Sequence, residues 1–171
     1  PNDACKIYGG SFYGKITTRS STDAVEFNGG TFYNTVNTAG CNSVTVYGGV
    51  FHEDAKFLCE GGPSQVFGGV FYKDVTVSGN ASGVFAGIFF EENPTANLSE
   101  GTVRMNVIFD ANGGTPETVT AKAVAGKDGD IKYEAPIAPP KDEPTRDGYV
   151  LTGWYTDSVG GTSFMFDQKW N

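Results

Sequence analysis

VTVYGGVF, residues 44–51, alternates apolar and polar side chains for four positions, breaks on a glycine pair and resumes with Val50 and Phe51. Alternation of this kind marks a half-buried strand, so the interruption needs a physical cause. Variants of the stretch recur along the chain: KIYGGSFY at 6–13, EFNGGTFY at 26–33, QVFGGVFY at 65–72 and a more divergent VFAGIFFE at 84–91. Gly9, Gly29, Gly48 and Gly68, with Ala86 in the fifth copy, open the pairs at intervals of 20, 19, 20 and 18 residues. A fixed period near 20 residues marks a stacked, quasi-one-dimensional architecture.

Aligning the copies on the glycine pair exposes columns. Ile7, Phe27, Val46, Val66 and Val84 stand two residues before it, and Cys5, Val25, Val44, Ser64 and Ser82 four before it. Strand side chains alternate with period 2, so both columns share one face, the inner one. Phe12, Phe32, Phe51, Phe71 and Phe89 stand three past the first glycine, a column too apolar and too regular for solvent. Short strands in so short a coil must turn corners, and glycine takes the backbone angles of a corner without steric cost. Turns lying roughly 4.8 Å apart also leave no room for bulky corner residues above one another. The pattern predicts a mainly β chain whose residues 1–100 form a right-handed parallel β-helix of about five rungs of about 20 residues. The competing arrangement, five antiparallel hairpins with glycine-rich tips, calls for turns every 8–12 residues and for Asn-Gly or Asp-Gly at the tip. The repeats over residues 5–92 also resemble the GGxF-type rungs of β-solenoid segments in bacterial surface proteins.

Composition agrees. Of 171 residues 39% are apolar and 13% aromatic, enough for packed cores, and 24 glycines with abundant Thr, Val and Phe favour strands over helices. The net charge is −8, and basic residues are sparse in both halves, 5 against 10 acidic over residues 1–100 and 7 against 10 thereafter. No basic patch exists to follow a phosphate backbone, which excludes nucleic acid as a partner. No run of 18 apolar residues is present, so membrane insertion is not expected, and the opening PNDACK is not a signal peptide. The chain starts within one repeat of the first glycine pair and reads as a piece of a longer protein.

The repeat ends at ENPTANLSEGT, residues 92–102, where Pro94 blocks further pairing, and a second domain is expected over 101–171. MNVIFDA alternates as a half-buried strand, Asn112-Gly113-Gly114 turns it, and Gly148 and Gly153 bracket a YVLTGWY strand with Tyr149 and Trp154 as core aromatics. VIFDANGG at 107–114, PTRDGYVLTGWYTD at 144–157 and GGTSFMFD at 160–167 together closely resemble the internalin B-repeat family, also called the Listeria/Bacteroides repeat. The resemblance implies a small β-grasp-like module, one sheet against a short helix, serving as a spacer or interaction unit in secreted and wall-attached bacterial proteins. Two features depart from the family: the segment AVAGKDGDIKYEAPIAPPKDE is long, and the closing strand after FDQKWN is shortened or missing.

Chemistry-bearing residues are few. His52, the one histidine, sits in a column otherwise held by Tyr13, Tyr33, Tyr72 and Phe90 and reads as an aromatic stand-in. Asp23, Glu26, Glu53, Asp54, Asp74 and Glu91 share few column positions, so no catalytic carboxylate pair is expected, and KDGD at 127–130 lacks the later ligands of a calcium loop. No catalytic residue, metal or cofactor is assigned. Cys5 falls in the inward column and is expected as a buried free thiol; Cys41 and Cys59, 18 residues or about one rung apart, form a candidate disulfide across a two-residue slip in register. By alternation, Tyr8, Asn28, Tyr47, Phe67 and Phe85 face out before each glycine pair, and Tyr13, Tyr33, His52, Tyr72 and Phe90 face out after it. Tyr13, Tyr33, Tyr47 and Tyr72 are the residues expected to touch a glycan or the surface of a partner or host protein. The resulting expectation is a non-catalytic, monomeric stalk and adhesion or interaction segment of an extracellular, secreted or cell-surface bacterial protein. A fragment of a carbohydrate-active β-helix lyase or hydrolase and a self-assembling structural element stand as alternatives.

Overall fold

The computed structural model describes residues 4–18, 23–59, 61–91, 103–125 and 137–166. The first turn is β1 (Cys5–Ile7), β2 (Ser11–Phe12) and β3 (Ile16–Thr17); the second is β4 (Ala24–Phe27), β5 (Thr31–Phe32) and β6 (Val36–Asn37). The third is β7 (Ser43–Val46), β8 (Val50–Phe51) and β9 (Ala55–Leu58), and the fourth β10 (Ser64–Val66), β11 (Val70–Phe71) and β12 (Val75–Ser78). β13 (Gly83–Val84) and β14 (Gly87–Phe89) begin a fifth, so the solenoid has four three-sided turns and two sides of another where about five rungs were expected. Its sides are three parallel sheets, β1-β4-β7-β10-β13, β2-β5-β8-β11-β14 and β3-β6-β9-β12. Every pairing between repeats is parallel, which excludes the hairpin arrangement. No helix occurs among the described residues.

The phenylalanine column sets the pitch. Phe12, Phe32, Phe51, Phe71 and Phe89 are direct partners across the second sheet. Their rings stack at 5.0, 4.7, 4.8 and 5.0 Å, which is the spacing of hydrogen-bonded strands. Phe27 from the first sheet meets Phe32 edge-on at 5.4 Å, and Phe57 from the third meets Phe51 edge-on at 5.7 Å, so the three sides converge on one aromatic spine. The third side was not resolved as a strand in the sequence. Its buried Val36, Ala55 and Val75, with the partly buried Ile16, stand seven residues past each first glycine. Cys5 departs from expectation: it pairs in register with Val25 but is exposed. It lies in an edge strand with a neighbour on one side only among the described residues, so nothing stacks over it.

The two glycines of a pair do different work. The second takes a positive φ in every copy: 105° at Gly10 and Gly30, 124° at Gly49, 118° at Gly69 and 146° at Gly87. At two corners the first leaves room for the carbonyl of the turn below. A Cβ at Gly29 would stand 2.7 Å from the Tyr8 carbonyl oxygen and one at Gly68 2.5 Å from that of Tyr47, while Gly9, in the first turn, would meet nothing.

β15 (Val103–Asp110) and β16 (Thr118–Ala125) form an antiparallel hairpin that joins the second sheet of the solenoid. β16 pairs antiparallel with β14, placing Val124 opposite Gly87 and Ala123 opposite Ile88, and Val124 completes the solenoid core. The segment 92–102, where the repeat was expected to end, lies outside the described residues; among those described it is β16 that covers the edge of β14. A second core forms on the outer face of the same sheet, where Val70, Tyr72 and Ile88 pack with Phe109, Ala121 and Ile137, and Trp154, Phe164 and Phe166 close over them. A short helix packed on a sheet, as a β-grasp requires, is not among the described residues. YVLTGWY contributes only the bridge of Tyr155 to Ser163 rather than a strand, and Tyr149 is exposed beneath the Arg146 guanidinium, 4.2 Å away, instead of in the core. Trp154 is partly buried, edge-on to Phe109 at 5.2 Å.

Gly69→Ala is expected to destabilise the protein by about 1–3 kcal/mol through backbone strain, with its Cβ 3.1 Å from the Phe71 ring. Gly9→Ala should change stability by less than about 0.5 kcal/mol. Urea unfolding of both variants checks the division of labour, and equal losses would refute it.

Candidate functional site

Outward-facing columns form two rows beside the glycine corners. After the corner, Tyr13 and Tyr33 stack at 4.7 Å, Tyr33 and His52 at 4.8 Å, His52 and Tyr72 at 5.1 Å, and Tyr72 and Phe90 at 4.8 Å. Before it, Tyr47 stacks on Phe67 at 5.7 Å and Phe67 on Phe85 at 4.7 Å. Asn28 interrupts this second row between Tyr8 and Tyr47; its side-chain nitrogen is shielded and has no hydrogen-bond partner among the described residues. The ladder geometry decides what these rings can offer. Rings stacked in register bury their faces in one another and present edges and hydroxyls outward, so a flat ligand finds a free face only at an end of the stack.

Exposure falls along the first row. Tyr13 is 72% exposed, Tyr33 43% and Tyr72 only 9%. Tyr72 was expected on the surface, and it is covered because residues 137–141 cross the outer face of the second sheet. The Tyr72 hydroxyl donates to the Pro139 carbonyl at 2.9 Å, and burial pushes its pKa up. Lys141 Nζ donates to the His52 carbonyl and to Glu53 Oε1, both at 3.4 Å. Burial, with the Lys141 charge acting the same way and Glu53 against it, holds the half-buried His52 below the usual histidine range. The open part of the surface therefore lies on its first three turns, Tyr13 and Tyr33 on one side and Tyr8 (73% exposed) and Tyr47 (52%) on the other. Between them runs a shallow groove of about 570 Å³ floored by Gly9, Gly10, Gly29, Gly30 and Gly49.

Three acids weighed in the sequence are engaged in ion pairs. Glu26 holds Lys6 at 3.0 Å, Glu91 holds Lys73 at 3.2 Å and Glu53 holds Lys141 at 3.4 Å. The Lys6 and Lys73 pKa values are raised by the hydrogen bond and charge of their partners. Among the described residues no three His, Cys, Asp or Glu side chains gather as metal ligands would, and KDGD at 127–130 lies outside them. Cys41 and Cys59 are buried free thiols with Sγ atoms 3.5 Å apart. Burial, reinforced by Cys59, pushes the Cys41 thiol up to about 12.

A second concavity escaped the sequence reading. A cleft of about 880 Å³ separates Val107–Asp110 from Tyr149–Thr156, with Trp154, Phe164 and Phe166 among its walls. Ile108, Tyr149 and Val150 at its rim are exposed. Arg146 Nη1 donates to the Asn112 carbonyl at 3.0 Å and ties the two walls together. Residues 106–171 match the Listeria-Bacteroides repeat domain. The Listeria-Bacteroides repeat segment thus supplies the cleft, part of β15 and all of β16, and it shares the second core with the solenoid. No curated protein and no solved structure matches the chain.

A histidine with a depressed folded pKa takes its proton first in the unfolded chain, so its stabilising contribution is complete above about pH 6.5 and declines as pH falls below that. His52→Tyr should flatten the fall in melting temperature between about pH 7.5 and about pH 5.5; an unchanged slope would remove His52 as its source. In reduced, folded protein, a water-soluble aromatic disulfide should react quickly with one thiol per chain, Cys5, and with the other two only on unfolding.

Proposed function

We propose that the chain is a non-catalytic, rod-like interaction segment of a secreted or cell-surface bacterial protein. In this reading the solenoid is the stalk, and the tyrosine-flanked glycine groove of its first turns is the contact surface. The observation that carries it is the exposure of Tyr8, Tyr13, Tyr33 and Tyr47 beside the glycine corners, while Tyr72 and Phe90, further along one row, pack under the repeat segment. Large exposed aromatics on one face are a common mark of an interaction site. Glycine in the floor lets a ligand approach the backbone closely. Tyr13 and Tyr33, stacked at 4.7 Å, present two neighbouring phenol edges, and Tyr13 supplies the one free ring face of its stack among the described residues. Such a surface fits a glycan chain laid along the groove or the polar surface of a partner protein. The Listeria-Bacteroides repeat match and the solenoid fold both suit a repeat module of a surface protein. β16 occupies the edge of β14, so another solenoid turn cannot stack on β14 directly, which favours a monomer over end-to-end assembly.

The test pairs Tyr8→Ser with Tyr13→Ser, the two most exposed rings of the groove. Binding to a glycan array and to host-cell matrix proteins should fall at least about tenfold, the loss of some 1.4 kcal/mol of contact, with an unchanged circular dichroism spectrum. Unaltered binding by the folded double variant would remove this face, and reducing-sugar release from any glycan by this chain would overturn the non-catalytic reading.

A further inference from the structure

The corner that leads from the third side of the solenoid back to the first holds a thiol pair that the contact surface does not use. Cys41 follows β6 and Cys59 follows β9, and the two residues are partners in a parallel bridge between successive turns. The slip apparent in the sequence is absorbed in the corner itself: five residues separate Cys59 from Ser64 but three separate Cys41 from Val44, the register partner of Ser64. Bridge partners stand about 4.8 Å apart, inside the ~4.4–6.8 Å Cα separation of a disulfide. Closing Sγ atoms already 3.5 Å apart therefore calls for side-chain rotation rather than backbone movement.

We propose that Cys41 and Cys59 are an oxidation site whose disulfide staples the second turn to the third. The oxidant is a small-molecule or enzyme-borne disulfide. One cysteine thiolate attacks a sulfur of the donor, forming a mixed disulfide and expelling one donor thiolate, which takes up a proton. The other cysteine thiolate then attacks the protein sulfur of the mixed disulfide, the Sγ–Sγ bond forms, and the second donor thiol leaves. Two electrons and two protons pass from the pair to the donor. Both thiols are buried and Ser64 Oγ lies 3.0 Å from Cys59 Sγ, so the folded dithiol is shielded from attack and the bond forms while the corner is still open during folding.

The position of the staple gives it a purpose. A stacked-turn protein contacts only nearest neighbours and frays from its ends. At one end β16 covers β14 while β12 and β13 each have a single strand neighbour; at the other end β1, β2 and β3 all do, among the described residues. A cross-link enclosing the third turn halts unwinding that starts at the first turn and preserves the register of everything beyond it. This inference stands apart from the contact-surface reading, because its readouts do not involve ligand.

Cys5→Ser removes the exposed thiol and leaves the pair alone. Refolded in mixed oxidised and reduced glutathione, then denatured without reductant, this variant should show no free thiol. Its oxidised form should melt about 5–10 °C above its reduced form. The triple variant Cys5→Ser, Cys41→Ser, Cys59→Ser should melt at the same temperature with and without reductant, which assigns the shift to the bond. Two free thiols after refolding, disulfide-linked dimers on a non-reducing gel, or equal melting temperatures for the oxidised and reduced pair would each overturn the proposal.

Discussion

When turns of a chain are set on one another at strand spacing, the neighbour of each residue is the residue of the same column in the next turn. Every column must then consist of side chains that tolerate their own kind at about 4.8 Å. Phenylalanine meets the requirement by stacking, and the five-ring spine at 4.7–5.0 Å spans every turn. Corners meet it with glycine, since the carbonyl of the turn below stands where a Cβ would be. Two charged pairs meet it with opposite signs between successive turns, Lys6 with Glu26 and Lys73 with Glu91. Such exposed pairs contribute little stability by themselves, but like charges in the same register would repel.

The same constraint shapes the outer surface. An aromatic column that faces solvent is forced into a ladder whose rings shield one another, so its ligand-facing property is a row of edges ending in hydroxyls. A solenoid sheet also has two usable faces. The second sheet buries Phe71 and Phe89 inward and Val70 and Ile88 outward, and the outward pair becomes the base of another core only because the repeat segment lies over it. One sheet thus serves two cores, and the hairpin that extends it also covers the last strand of that side of the solenoid. The exposed tyrosines of the first row are left to the turns beyond the reach of residues 137–141.

Within the repeat segment, apolar side chains are spent on the solenoid and on the cleft. Phe109 and Ile137 are buried against the second sheet, while Ile108, Tyr149 and Val150 face solvent at the cleft rim. The reason is pairing: β15 and β16 satisfy each other and β14, whereas residues 149–154 have no ladder partner among the described residues. Strand propensity alone does not make a strand, because tertiary context decides whether a segment pairs.

The period near 20 residues, the phenylalanine column and the glycine pairs sufficed to infer parallel stacking, because each repeat states the same local constraint again and a register error would misplace all five phenylalanines together. The column of Ile16, Val36, Ala55 and Val75 carried the third side in equally plain form, but strands of two residues at β3 and β6 are too short to show alternation. The inner and outer faces near the glycine pairs were legible for the same local reason. What the sequence could not state is which outward residues stay outward. Tyr13 and Tyr72 occupy the same column with the same side chain, yet Tyr72 is buried by a hydrogen bond to Pro139, 67 residues away. The approach of Cys41 Sγ to within 3.5 Å of Cys59 Sγ likewise depends on how the corner between Cys59 and Ser64 absorbs two extra residues. Repetition encodes contacts between neighbouring turns; contacts between the solenoid and the segment folded back over it have no periodicity, and only the tertiary structure decides them.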